Sequence, residues 1–222
     1  MWIYSAIDVV LGKYSLCIYM WNYFDVFYHN TQFVNKLPKS KEFLHQCLRN
    51  TKTFQSQSIP IIKLMQGIID KDDSSVTKVR KIHDWIAMHI FYDKDVVRNG
   101  IYLQMDISAL ESLLNKRCVC SGYSNLSVAL LRSAGIPSIG VTCIAKTNRW
   151  LTSQNKNDVN HEVCMAFIDS NWTFIDVTWD SPNIYENGKF IENEYNKISY
   201  KYFACNISSF SRTHKLIGCI LE

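Results

Sequence analysis

Val119-Cys120-Ser121-Gly122-Tyr123, running on through Leu126, Ala129, Leu130 and Ala134 to Gly135-Ile136-Pro137, is the stretch that decides the fold. Its apolar residues recur at steps of three and four, the period of a helix with one buried face. Gly135 supplies the left-handed residue that commonly closes a helix, and Pro137 forbids continuation. The spacing predicts a helix over 120–134 with Cys120 in its first turn. A thiol is a useful nucleophile as thiolate, and a helix N-terminus with an imidazole nearby lowers its pKa. The free N–H groups of that turn point at whatever is bound beside the sulfur, and that of Cys120 could serve in an oxyanion hole. Gly122 allows close backbone approach there. Taken alone, Cys120 would be one more buried thiol, the common fate of an unpaired cysteine.

Downstream, Ile139 to Ile144 reads as a strand and the polar stretch from Lys146 to Asn160 as a loop. His161–Ile168 and Trp172–Trp179 read as two further strands joined by a turn at Asp169-Ser170-Asn171. If Asp169-Ser170 is a two-residue turn, Ile168 faces Asn171 and Val163 lies opposite Asp176. His161 is then a diagonal neighbour of Asp176, roughly 7–8 Å away between Cα atoms and within reach for imidazole and carboxylate. Moving the turn by one residue doubles the offset and separates the pair. Without that pairing His161 would be a satisfied strand-end histidine and Asp176 a solvated carboxylate. The tail from Ser181 holds one or two short strands, with a turn at Asn187-Gly188. His214 has no evident partner.

Upstream, Ser74 or Ser75 caps a helix whose apolar positions are Val76, Val79, Ile82, Ile86 and Ile90, ending near Tyr92-Asp93. His83 and His89 on it read as packing residues. Residues 94–107 read as a loop with an extended piece at Ile101–Leu103, and Ser108 caps a short helix ending near Lys116. Residues 1–70 are aromatic-rich and mostly helical, broken near Leu37-Pro38 and Ile59-Pro60. They form an N-terminal helical extension, docked or lying over the cleft, on a core spanning 71–222. Helices first and an antiparallel sheet afterwards make an α+β chain.

The 222 residues (25.8 kDa) are 47 % hydrophobic and 20 % charged, which suits a globular chain with one sizeable core. The 24 basic and 20 acidic residues are dispersed, so no electrostatic footprint for nucleic acid exists. Asp8, Lys13 and Asp25 interrupt the apolar N-terminus, which rules out a membrane span there. It also lacks a basic n-region and an A-x-A-like cleavage site, which favours the cytoplasm; a processed N-terminus would allow secretion or the cell surface. The eight cysteines include no C-x-x-C pair, and the Cys118-x-Cys120 spacing has no matching second pair for a metal.

The quoted segment with Ala134-Gly135-Ile136-Pro137 resembles the nucleophile segment of the transglutaminase-like superfamily. His161 with the apolar strand after it, and Trp172-Thr173-Phe174-Ile175-Asp176-Val177-Thr178-Trp179-Asp180, resemble its His and Asp strands. Lys81-Ile82-His83-Asp84-Trp85-Ile86 and Tyr92-Asp93 resemble the helix before its core. The resemblance covers roughly residues 72–182 and implies a papain-like α+β core with Cys120 as nucleophile, His161 as general base and acid, and Asp176 as orienter. It implies acyl transfer from a peptide or protein amide through a thioester, without cofactor or metal. Water as acceptor gives a protease or amidase, an amine a transglutaminase. A small bacterial-type member fits better than a calcium-gated animal cross-linking enzyme. Glu162-Val163-Cys164 replaces the family's small-Trp-Asn run, altering the acceptor-side wall. That departure motivates an alternative, a binding or scaffold module without turnover. The sequence leaves the oligomeric state open.

Overall fold

The structure is a computed structural model that describes residues 11–146, 159–193 and 197–222, with side chains from Tyr23 onward. In chain order the elements are α1 (Leu11–Lys36), α2 (Lys41–Gln46), α3 (Ile59–Ile68), α4 (Ser75–His89), β1 (Phe91–Asp93), α5 (Lys94–Arg98), a 3₁₀ turn (Tyr102–Gln104), α6 (Ala109–Asn115), β2 (Arg117–Cys118) and α7 (Cys120–Ser133). There follow β3 (Ser138–Ala145), β4 (His161–Ile168), β5 (Asn171–Ile175), α8 (Val177–Asp180), β6 (Ile184–Glu186), β7 (Lys189–Ile191), β8 (Phe203–Cys205), α9 (Ile207–Phe210) and β9 (His214–Ile220). The expected loop at Lys146–Asn160 lies, apart from its ends, outside the described residues. Among the described residues no helix is long and apolar enough to cross a membrane.

The main sheet has the order β8-β5-β4-β3-β9 with every neighbouring pair antiparallel. Its register hangs on the turn at Asp169-Ser170, where both residues are left-handed (φ 48° and 65°) as a two-residue type I′ hairpin requires. Ile168 therefore pairs with Asn171 and Cys164 with Ile175. Both faces of the sheet are covered. Cys164, Ala166 and Ile168 of β4 join a core with Leu126 and Leu130 of α7, Ile82 and Ile86 of α4, and Ile61 of α3. Val163 and Met165 face the opposite way, into a core with Val141, Phe174, Leu216, Phe210 and Leu37. Burial on two faces is why β4 is nearly continuously apolar.

Several expectations need correction. The helix from Ser74 ends at His89; Phe91–Asp93 are drawn into a second sheet, pairing in parallel with Arg117–Cys118 and Ile184–Tyr185. In that sheet, β2-β1-β6-β7, the parallel pairing of β1 with β2 and β6 was not expected, because two- and three-residue strands carry no periodic signal. Residues 94–107 contain α5, which begins where Asp93 accepts a hydrogen bond from the Val96 N–H (3.0 Å), and a 3₁₀ turn in place of an extended piece. The expected strand to Trp179 stops at Ile175, since Asp176 Oδ1 accepts from the Trp179 N–H (3.2 Å) and so caps α8. Among the described residues the tail from Ser181 holds four strands, with Asn187-Gly188 at the β6–β7 turn as expected.

The start of α7 is closely packed. A Cβ on Gly122 would lie 2.4 Å from Cys118 Cβ and 2.6 Å from Ser112 Oγ, and both neighbours are fully enclosed. Gly122→Ala should therefore cost about 1–3 kcal/mol in urea denaturation, because neither neighbour can move without breaking α6 or β2. Unchanged stability would mean that the turn has room.

Candidate active site

Cys120 is the first residue of α7 and half-buried, and Val119 before it is extended. The first turn is fixed from two sides. Tyr123 donates its hydroxyl to the Ile90 carbonyl at the end of α4 (2.7 Å), and Ser124 donates to the Val163 carbonyl in β4 (3.0 Å). The second bond lands two residues from His161, so helix and strand cannot slide relative to each other at this end. At the start of β4, Asn160 exchanges two hydrogen bonds with the Ala145 backbone, accepting from its N–H (2.7 Å) and donating to its carbonyl (3.1 Å). His161 therefore stands at a clamped strand end.

The structure brings His161 and Asp176 together. Nε2 of His161 lies 2.9 Å from Oδ2 of Asp176, with both side chains buried. Burial opposes the charged form of His161, but the adjacent Asp176 carboxylate more than offsets it. The Cys120 side chain, a further hydrogen-bonding neighbour, adds to the effect, and the imidazole is raised to about 10. Burial alone would raise the Asp176 carboxyl; His161, with a smaller contribution from His214, holds it well below the usual carboxylate range. With Nε2 engaged by Asp176, Nδ1 is the nitrogen left for the thiol.

Three further residues belong to this neighbourhood. His214 of β9 is buried with Nε2 3.2 Å from the same Asp176 Oδ2, a neighbour that no local sequence pattern marks. Trp179 stands over both imidazoles, with ring centroids 5.4 Å from His161 and 4.5 Å from His214. Glu162 turns the other way, under α7, and is 6 % exposed. Burial raises its carboxyl to about 7 against the opposing pull of Ser124, Ser121 and His161. Room for it exists because residue 140 is glycine: a Cβ there would meet Glu162 Oε1 at 3.2 Å. His161, Asp176 and His214 also bring three potential ligand atoms within 4.8 Å of one another, a spacing a divalent cation could occupy.

His83 is more than a packing residue. It is fully buried, with Nδ1 2.9 Å from Asp84 and Nε2 3.2 Å from Asp180, whose carboxylate also accepts from the Tyr202 N–H. This pair ties α4 to α8, the helix that Asp176 caps.

Residues 62–177, just over half of the chain, match the family model of the transglutaminase-like superfamily. Two curated relatives, both named kyphoscoliosis peptidase, are 24 % identical over 120 residues (mouse, Mus musculus, 54 % of this chain) and 23 % identical over 156 residues (human, Homo sapiens, 68 % of this chain). The chain matches about a fifth of their length, 18 % and 22 %. A crystal structure described as "a Putative Cysteine Protease from Cytophaga hutchinsonii" superposes with a TM-score of 0.51 at 23 % identity, over 65 % of this chain and 45 % of that one. This last likeness is one of fold.

Glu162 gives a prediction whose sign is fixed. Its carboxyl moves from an ordinary 4.5 to about 7 on folding, so the folded chain holds the extra proton between those values. Folding stability must fall as pH rises through that window, by up to about 3 kcal/mol, and stay level above it. Glu162→Gln removes this pH dependence. The variant should gain on wild type between pH 4.5 and 7.5 in urea denaturation; a pH-independent difference would show that Glu162 is ionised in the folded chain.

Proposed function

Because the chain belongs to the transglutaminase-like superfamily, we propose that it is a cysteine-dependent acyl-transfer enzyme acting on peptide or protein amide bonds. In this proposal Cys120 is the nucleophile, His161 the general base and acid, and Asp176 the orienter, carried by a core of residues 71–222 with 1–70 as its extension. The observation that carries it is the buried His161–Asp176 contact of 2.9 Å at the strand end clamped against the first turn of α7.

The steps follow from those positions. His161 Nδ1 takes the thiol proton, and the imidazolium so formed is stabilised by Asp176. The raised His161 pKa is the electrostatic side of this, since the ring keeps at neutral pH the proton it takes. The thiolate adds to the amide carbonyl, and the oxyanion falls toward the free N–H groups at the start of α7. His161 then protonates the departing amine, leaving a thioester. Water, deprotonated by the same ring, completes hydrolysis; an amine in its place gives transamidation. The peptidase names of the curated relatives favour water.

Iodoacetamide labelling followed by peptide mass spectrometry tests the proposal. Cys120 should label rapidly at pH 6–7, well below the free-thiol pKa of about 8.5, and His161→Ala should slow it about 10-fold or more. Asp176→Asn should cut turnover of a responsive amide about 10²–10⁴-fold. Cys120 labelling no faster than the exposed Cys219 and indifferent to His161 would sink the proposal.

A further inference from the structure

β9 is an edge strand of the main sheet, and its first residue is His214. The imidazole sits in an aromatic nest, stacked on Phe210 (4.3 Å, 14°) with Trp179 at 4.5 Å and Tyr202 at 5.2 Å. Its Nδ1 lies 2.9 Å from Thr213 Oγ1, which in turn contacts the Tyr202 hydroxyl at 3.1 Å. Nε2 is wholly buried and no described atom gives it a well-aligned hydrogen bond; the nearest partner it has is Asp176 Oδ2 at 3.2 Å. With both ring faces packed and Nδ1 beside Thr213, a proton on Nε2 has the buried Asp176 carboxylate as its polar neighbour.

The outer edge of β9 is covered from α1. Asn30, fully buried, donates to the His214 carbonyl (2.8 Å) and accepts from the Leu216 N–H (2.9 Å), so its carboxamide occupies the place of a neighbouring strand. Its Nδ2 also donates to Ser211 Oγ (2.9 Å), and His29 Nε2 lies 2.7 Å from the Leu216 carbonyl. The backbone of His214 is held by α1 on one side and by β3, through the Ala145 register, on the other.

We infer that His214 is a positioning residue, whose Nε2–H holds Asp176 in the orientation that serves His161, and that α1, through Asn30, is the clip that holds His214. The inference rests on the catalytic reading proposed above and deepens it. Asp176 Oδ1 is occupied by the Trp179 N–H, so Oδ2 alone faces both imidazoles. Without His214 the carboxylate has one partner on that oxygen and freedom to rotate away from His161. Burial favours the neutral form of His214, against the pull of Asp176, which suits a ring that donates one hydrogen bond. Among the described residues, the titratable groups around Asp176 and His214 are Cys143 of β3, His161 of β4 and Cys205 of β8, with Cys120 of α7 and Glu162 of β4 beside His161.

The pH profile of Cys120 alkylation in the full chain tests this, with wild type, His161→Ala, His214→Phe, His214→Gln and Asn30→Ala compared. Phe keeps the aromatic stack and lacks the donor, whereas Gln restores an N–H. His214→Phe should slow labelling about 10-fold at pH 6–7 and move the acid limb upward, His214→Gln should recover part of the loss, and Asn30→Ala should fall between. A wild-type profile in His214→Phe would reduce His214 to packing and overturn the inference while the catalytic reading stands. Indifference to His161→Ala would remove both. Imidazole nitrogen NMR on the wild-type chain is independent of how the variants fold: His214 should carry its proton on Nε2, and a proton on Nδ1 would overturn the inference.

Discussion

A carboxylate buried out of water has to be compensated in place, and at Asp176 this requirement organises the site. An isolated buried charge would cost several kcal/mol or neutralise itself. Asp176 avoids both by using each oxygen. Oδ1 takes the Trp179 N–H, which ends β5 and starts α8; Oδ2 faces His161 of β4 and His214 of β9. One side chain thereby joins four elements. The same contacts that keep its charge tolerable fix the geometry a nucleophilic thiol at Cys120 would need.

The architecture supplies what that carboxylate cannot. The main sheet is covered on both faces, by α7 with α3 and α4 on one side and by the α1–α2 region with α9 on the other. Cys120 arrives from the first side at the start of α7, while His161, Asp176 and His214 belong to the second. They meet at the strand ends, where β4 begins and β5 stops. Ser124 and Asn160 clamp that edge, so the helix start and the strand end keep their separation. Gly122 lets the helix begin against Cys118 and Ser112 at a distance any side chain would forbid.

The sequence made the Cys120, His161 and Asp176 positions legible because each depends on local chemistry. A helix start is written in caps and periodicity, and a two-residue turn fixes the β4–β5 register, hence the His161–Asp176 spacing, from a few residues. His214 was illegible for the opposite reason. It reaches Asp176 through the placement of an edge strand three positions from β5 in the sheet, which is set by α1, β3 and α9 together. The β1–β2–β6 pairing was hidden likewise, as strands so short owe their existence to tertiary neighbours. The helical turn after Asp176 lay between, signalled by an Asp three residues before Trp179 but overridden by the apolar alternation around it.

The N-terminal region is wired into this core in a manner its sequence did not reveal. The Ser138 N–H donates to the Cys47 carbonyl, and Arg132 at the end of α7 donates to the Arg49 and Ser138 carbonyls while its guanidinium lies over Phe54 at 4.3 Å. Thr53 and Gln55 accept from the Ala109 and Leu110 N–H groups at the start of α6. Phe54 and Ile61 belong to the same buried cluster as Leu126 and Leu130. Lifting this region as a unit would expose that cluster, take the Arg49 carbonyl from Arg132 and leave two N–H groups at the start of α6 without acceptors. A cover designed to open would be joined by weaker and fewer bonds. The segment from Cys47 to Ile61 therefore packs as a wall of the core.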